Sequence, residues 1–327
     1  MSILVTGGAG YIGSHTVRYL KEKNEDVIVL DNLQTGYKES IDVEKFYKLD
    51  LRDKEIDRVF KENNITGVIH FAANSLVGVS VKEPYEYYDN NVYGTLCLLK
   101  AMMENGVKNI VFSSTAAVYG EPKNVPILES DPTIPTNPYG ETKLTMEKMM
   151  KWFDNAYGTK YVSLRYFNAA GAHEKGDIGE CHNPETHLIP LILQVPLGQR
   201  EKVSIFGDDY DTPDGTCIRD YIHVWDLADA HYLAYKYMLD GNNSEIFNLG
   251  SGNGFSVKEV IDAARKVTDH EIPAEIAKRR AGDPAVLVAS SDKIKKTLGW
   301  NPQRTNLEEI IQDAWRFHKN HPSGYDK

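Results

Sequence analysis

Ile3-Leu4-Val5-Thr6-Gly7-Gly8-Ala9-Gly10-Tyr11-Ile12-Gly13 decides the fold. The first four residues are a short apolar run suited to a buried strand. After the glycines comes a helix-compatible run, Ser14 to Lys21. Strand, glycine turn and helix together hold a pyrophosphate. Gly7 permits a tight turn, Gly10 lets the backbone approach the phosphates, and Gly13 lets the helix pack against the strand. The helix N-terminus then presents free N–H groups to the anion.

Outward from that turn, apolar strands alternate with helices. Val27-Ile28-Val29-Leu30 ends at Asp31, and Phe46 to Leu49 ends at Asp50. Gly67-Val68-Ile69-His70, Asn109-Ile110-Val111-Phe112 and Tyr161-Val162-Ser163-Leu164 follow. Between them, helices are expected over Asp53 to Glu62, Pro84 to Glu104 and Tyr139 to Ala156. This pattern predicts an α/β fold with a doubly wound parallel sheet, its ligands at the carboxyl ends of the strands. After Asn168 the pattern loosens. Gly171 to Pro184 reads as a loop, Gly207-Asp208-Asp209 and Pro213-Asp214-Gly215 as turns, and Arg279 to Pro284 as a charged loop. A second, smaller α/β domain is expected there. It ends in a helix, Leu307 to His318, with Ile310, Ile311, Ala314, Trp315 and His318 on one face.

The 327 residues carry a net charge of −10. That balance argues against nucleic acid or an anionic membrane surface as a partner. It also means that an anionic substrate needs local arginines. No apolar run approaches the ~20 residues that span a bilayer. Three scattered cysteines, Cys97, Cys181 and Cys217, fit a reducing compartment. With no basic leader before the first strand, a cytoplasmic protein is expected. His70, His173, His182 and His231 share no ligand spacing with cysteines or carboxylates, so no metal is expected.

Asp31 stands 18 residues after Gly13 at a strand end. A carboxylate there accepts hydrogen bonds from an adenosine ribose and repels a 2′-phosphate, which favours NAD over NADP. Asp50 is placed to receive the adenine amino group. Tyr139-Gly140-Glu141-Thr142-Lys143 puts a phenol and an ammonium on one helix face. At ~5 Å and an effective dielectric of ~20 the ammonium favours the phenolate by roughly 3 kcal/mol, about two pKa units. Such a phenol can move the proton of a sugar hydroxyl. Thr115, closing the fifth strand, is placed to bridge Tyr139 and a substrate hydroxyl.

These stretches resemble the extended short-chain dehydrogenase/reductases, and within them the nucleotide-sugar 4-epimerases. The likeness runs nearly end to end. Beyond the glycine turn it is carried by Asp31-Asn32-Leu33, Val68 to Ala73, Tyr87 to Val92, Ser113 to Gly120, Asn137 to Gly140, Leu164 to Asn168 and Arg219 to Val224. The resemblance implies that Tyr139 is the base, that Lys143 holds the nicotinamide ribose, and that Thr115 shares the proton. NAD contacts are implied for Tyr11, Ile12, Asp31, Asn32, Leu33, Gln34, Thr35, Gly36, Asp50, Leu51, Phe71, Ala72, Ala73, Asn74, Ser75, Asn90 and Phe167. Nucleotide-sugar contacts are implied for Asn168, His187, Leu188, Ser204, Ile205, Phe206, Arg219, Arg280 and Asp283. The two arginines suit a diphosphate. Leu287 falls where relatives vary between tyrosine and small residues, which bears on N-acetylated sugars.

The implied reaction interconverts UDP-glucose and UDP-galactose through a 4-keto intermediate, with no net redox change. The implied organisation is a Rossmann domain over residues 1–168 for NAD and a domain over 169–327 for the nucleotide sugar, with some later segments returning to the first. A homodimer joined by the helices Pro84–Glu104 and Tyr139–Ala156 is also implied. A 4,6-dehydratase on the same fold needs an acidic couple after the threonine, where this chain has Ala116-Ala117. A dehydrogenase that exchanges its cofactor every turnover shares the same local motifs. A catalytically silent NAD sensor has no need to keep Thr115, Tyr139 and Lys143 together.

Overall fold

Seven parallel strands form the central sheet of the computed structural model, which describes residues 1–252, 254–280 and 283–325. They are β1 (Ser2–Thr6), β2 (Asp26–Asp31), β3 (Lys45–Lys48), β4 (Ile65–His70), β5 (Asn109–Ser113), β6 (Lys160–Arg165) and, far along the chain, β10 (Glu245–Asn248). Their order is β10-β6-β5-β4-β1-β2-β3. The winding direction reverses between β1 and β4, and that switch opens a crevice at the carboxyl ends of the strands.

Both faces of the sheet are covered, so its strands read as nearly continuous apolar runs. Successive residues of β1 alternate between the two layers. Ile3 and Val5 pack with Val17 and Leu20 of α1 (Tyr11–Glu22) and with Leu227, Ala234 and Met238 of α8 (Val224–Leu239). Leu4 faces the other way, toward α2 (Ile56–Glu62), α5 (Gly94–Glu104) and α6 (Pro138–Tyr157), through Val59, Leu98, Met102, Met146 and Met150.

The helix expected over Pro84–Glu104 is helical throughout but not uniform. It runs as α4 (Pro84–Tyr87), a π-helical segment Tyr88–Tyr93, and α5. A further helix, α3 (Val77–Lys82), precedes it and was not expected. α6 matches its expectation closely. Its start is fixed by Asn137, whose side chain accepts from the Gly140 N–H at 2.9 Å, and by Pro138 at the first helical position; Gly158 ends it at φ +69°.

The remaining strands lie apart from the large sheet. β7 (Asn168–Ala170), β9 (Ile218–His223), β11 (Gly254–Ser256) and β13 (Val286–Leu287) form one small sheet, and β8 (Val203–Phe206) pairs β12 (Ala274–Ala277). A separate apolar cluster joins them to α7 (Leu188–Leu193), α9 (Val257–Thr268) and α11 (Leu307–Asn320). On α11, Ile310, Ile311, Ala314 and Trp315 are buried as the spacing predicts; Phe317 joins them, and His318 stays half-buried. Of the charged loop Arg279 to Pro284, Ala281 and Gly282 lie outside the described residues. Among the described residues no helix is long and apolar enough to cross a membrane.

Candidate active site

The glycine turn is shaped by contact distances. Gly7 has φ +72°, and a Cβ on it would lie 2.5 Å from the Ala72 nitrogen. A Cβ on Gly13 would lie 2.1 Å from the Gly7 carbonyl oxygen, so any side chain there would push α1 off β1. At Gly10 the nearest atom is 3.4 Å away, and this side of the turn is open. Gly10 caps α1 with no side-chain hydrogen bond, and the first turn contains no acidic residue. The free N–H groups and the positive end of the helix dipole therefore face the crevice beside Ala9, Gly10, Tyr11, Thr35 and Tyr37.

Asp31 is buried at the end of β2, and burial pushes its pKa up. Its Oδ2 accepts from the Ala9 N–H at 2.9 Å and its Oδ1 from the Leu33 N–H at 2.8 Å. Each oxygen keeps a lone pair for a ribose hydroxyl. The segment after it, Asn32 to Gly36, lies against the turn, where a Cβ on Gly36 would come within 2.9 Å of the Ala9 backbone. Open turn, uncapped helix and acceptor carboxylate together suit a dinucleotide.

Asp50 does not fit its expected part. Its Oδ1 accepts from the Arg52 backbone N–H at 2.9 Å and from Arg52 Nε at 2.7 Å; its Oδ2 accepts from Asn32 Nδ2 at 2.9 Å and Arg52 Nη2 at 2.8 Å. Four donors saturate a carboxylate, and Arg52's hydrogen bonds hold it well below the usual carboxylate range. No lone pair is left for an adenine amino group.

The phenol of Tyr139 meets Thr115. The two side chains are hydrogen-bonded, and the Thr115 hydroxyl also accepts from the Ala117 N–H at 3.1 Å. One turn on, Lys143 is buried and donates from Nζ to the Ser113 carbonyl at 2.9 Å. Its Nζ lies 5.9 Å from the centre of the Tyr139 ring and 4.9 Å from that of Phe112. The geometry expected from Tyr-x-x-x-Lys is present, but its electrostatic consequence is reversed. Burial pushes the Tyr139 pKa up to about 12 against the lowering effect of Thr115. Burial also pushes Lys143 down to about 7, which Glu147 partly opposes. Desolvation is the largest cause for each group.

Glu147 continues the stripe one turn further and was missed, although its i+4 spacing from Lys143 is visible. It takes Arg165 in a bidentate pair at 2.9 and 2.6 Å, and the Ser114 hydroxyl donates to it at 2.6 Å. Both charged side chains are only 4% exposed. Asn91, buried in the π-helical segment, was also missed as a clamp. Its Oδ1 accepts from the Asn74 N–H at 2.7 Å and from Asn90 Nδ2 at 3.1 Å, while its Nδ2 donates to the Asn74 carbonyl at 3.0 Å and to Thr142 at 3.1 Å. It ties the segment after β4 to α6. His70 lies between the Thr6 and Thr95 hydroxyls at 2.7 and 3.0 Å, and burial pushes it down to about 3, so it is a neutral core histidine.

The second half supplies the arginines. Arg219 is ion-paired with Asp283 and also donates to the Ile218 carbonyl at 2.7 Å. Leu287 pairs with Arg219 across β13 and β9, and it packs with Phe167 on the cluster of Ala116, Val118 and Leu144. The guanidinium of Arg280 lies 4.1 Å from the centre of the Phe206 ring. Along β8 the sides alternate: Ile205 turns into the core, whereas Ser204 and Phe206 face away. Leu188 opens α7 and packs against the same core. His187 precedes it with Nδ1 bonded to Glu185 at 2.9 Å and 3.0 Å from Glu180. The loop residue His182 shares that cluster with Glu180 and Glu185. His182, expected to share no ligand spacing with carboxylates and to be solvated or packed, lies between two of them.

The chain belongs to the NAD dependent epimerase/dehydratase family, which it matches over residues 3–250. It is 64% identical over 326 residues to a UDP-glucose 4-epimerase of Halalkalibacterium halodurans, covering 99% of this chain and 98% of that protein. A crystal structure of a UDP-glucose 4-epimerase superposes with a TM-score of 0.99 at 59% identity, with all of both chains covered. The structure of the UDP-glucose 4-epimerase from Bifidobacterium longum in complex with NAD+ and UDP gives 0.92 at 43% identity, over 99% of this chain and 100% of that one.

Proposed function

We propose that this protein interconverts UDP-glucose and UDP-galactose by reversible oxidation at C4 of the hexose, with NAD as its resident cofactor. One observation carries the reading. The Tyr139 phenol, hydrogen-bonded to Thr115 and one turn from Lys143, stands on the helix that follows β5. Relatives at this level of likeness are named UDP-glucose 4-epimerase.

NAD, when bound, supplies the two-electron acceptor for C4 and the donor that restores it. The chain's own groups do the rest. Tyr139 takes the proton of the sugar 4-hydroxyl and returns it to the ketone. Thr115 donates to the phenolate as it forms and orients the substrate hydroxyl. Lys143, fixed by the Ser113 carbonyl, binds the cofactor ribose and places positive charge near the phenol. Arg219 and Arg280 hold the diphosphate, Phe206 and Leu188 lie along the nucleotide, and Phe167 and Leu287 bound the sugar. The sugar has few polar partners beyond Thr115, Tyr139 and Asn168, which suits a ring that must present both faces while its nucleotide stays anchored. The pair Ala116-Ala117 lacks the carboxylates that a dehydratase requires.

Purified protein is expected to convert UDP-galactose to UDP-glucose with no NAD added. Conversion that consumes added NAD in proportion to product would replace this reading with a net dehydrogenase. No conversion with NAD supplied would reject it.

The protein also forms a homodimer in this reading. Tyr85, Tyr88, Tyr93, Leu96 and Trp152 are exposed apolar residues of the Pro84–Glu104 stretch and α6. A cluster of this kind is the mark of an interface. Light scattering should give twice the chain mass, falling to one chain for Leu96→Arg; a monomeric parent protein would refute the dimer. The three cysteines are free, which supports a cytoplasmic setting.

A further inference from the structure

We infer that Glu180, His182, Glu185 and His187 form a structural site for a divalent transition metal of the zinc type. These four side chains bring one donor atom each to a common point, all within 4.8 Å of one another. His182 Nδ1 lies 3.3 Å from Glu180 Oε1 and 3.6 Å from Glu185 Oε2. His187 Nδ1 lies 3.0 Å from Glu180 Oε1 and 2.9 Å from Glu185 Oε1. Ligands bound tetrahedrally to zinc at about 2.0–2.1 Å are about 3.3 Å from one another. The separations in the cluster bracket that edge length.

The competing description is a plain ion-pair cluster, and two observations count against it. His182 Nδ1 is buried and lies 3.3 Å from Glu180 Oε1 and 3.6 Å from Glu185 Oε2 without the geometry of a full hydrogen bond to either, so it shares one centre with both carboxylates. Glu180 is buried, and among the described residues no lysine or arginine pairs with it or with Glu185. Two imidazoles and two carboxylates suit zinc, or cobalt and nickel in its place, and are too few oxygens for calcium or magnesium. Cys181 stays outside the ligand set, because its thiol is hydrogen-bonded with Tyr37.

The site's place in the fold gives it a purpose. Between Ala170, the end of β7, and Leu188, the start of α7, the chain has no regular secondary structure of its own. The cluster closes the last part of this stretch into a ring. His182 sits edge-on to Tyr11 of the glycine turn, with ring centres 6.3 Å apart, and Tyr11 donates to the Gly171 carbonyl at 2.7 Å. His187 leads directly into α7. With four protein ligands the site is closed, so the metal braces the loop and takes no part in chemistry.

The test uses the full chain without a histidine tag. Isolated protein should carry one zinc per chain by elemental analysis. Chelator-stripped protein should bind cobalt(II) with the strong visible absorption of a tetrahedral site. Zinc restored to the stripped protein at about a hundredfold excess over its Kd should raise Tm by about 5 °C. His182→Ala and Glu180→Gln should each weaken cobalt binding about 100-fold or more. Stripped parent protein that shows neither the cobalt spectrum nor the Tm rise would overturn the proposal. So would cobalt binding that is undiminished in His182→Ala. The parent spectrum reads the site without any substitution, so the proposal remains testable even if a variant fails to fold.

Discussion

Tyr139→Phe should lower kcat for UDP-galactose conversion about 1000-fold and leave the fold and the bound cofactor in place. The phenol's hydrogen-bond partner is Thr115, itself held by the Ala117 N–H, so removing one oxygen disturbs no structural network. Its contribution is to proton transfer alone. The chain by itself keeps this phenol protonated, since burial pushes it up to about 12 while Lys143 is pushed down to about 7. A base working near neutrality therefore needs further positive charge at the site, and an oxidised nicotinamide carries one. The same variant offers a second reading: an ultraviolet phenolate signal that titrates at lower pH in NAD-loaded protein should vanish with Tyr139. Activity within tenfold of the parent enzyme would remove Tyr139 from the role of base.

Glu147→Gln should destabilise the protein by about 3–5 kcal/mol, a larger effect than any surface change would give. The substitution keeps the shape and removes the charge. Arg165 would then be buried with neutral partners alone: one amide oxygen at position 147, the Tyr119 hydroxyl at 2.8 Å and the ring beneath it. The Tyr119 hydroxyl in turn donates to Asn248 at 2.7 Å, so the disturbance reaches β10. A fall in Tm of about 10 °C is expected. The paired replacement Glu147→Leu with Arg165→Met should recover much of the loss, because two apolar groups leave no orphaned charge. Glu147 is also the group that raises the Lys143 pKa, so Glu147→Gln should push Lys143 lower still. A loss of stability under about 1 kcal/mol would show the pair to be solvated after all.

The large sheet was legible because its strands are buried on both faces and its punctuation is strong. Ile3 to Thr6 and Val27 to Leu30 allow no other reading beside a glycine turn. α3 was hidden for the opposite reason. Val77, Val79 and Val81 alternate as a strand would, yet all three are exposed and the segment is helical. The π-helical segment was invisible because one extra residue in a wider, under-wound turn leaves the apolar pattern around it intact. In the site, Thr115, Tyr139 and Lys143 were found because helical spacing and a strand end are local facts. The upward push on the Tyr139 pKa was not legible, because desolvation depends on everything packed around the phenol. The saturation of Asp50 depends on where the Arg52 side chain folds back. The Glu147–Arg165 pair joins residues 18 apart on different elements. Glu180, His182, Glu185 and His187 follow no standard ligand spacing, and only the irregular path of the loop brings them together.

β10 is contributed by the second half of the chain yet forms the outer edge of the large sheet, pairing with β6 from Glu245 to Asn248. α8, just before it, covers one face of the same sheet. The first 168 residues are therefore not an excisable module. Cut loose, they would carry an unpaired strand edge along Lys160–Arg165 and a bare apolar face where α8 had been, both invitations to self-association. The polypeptide must finish some eighty residues beyond that point before its cofactor-binding half can close.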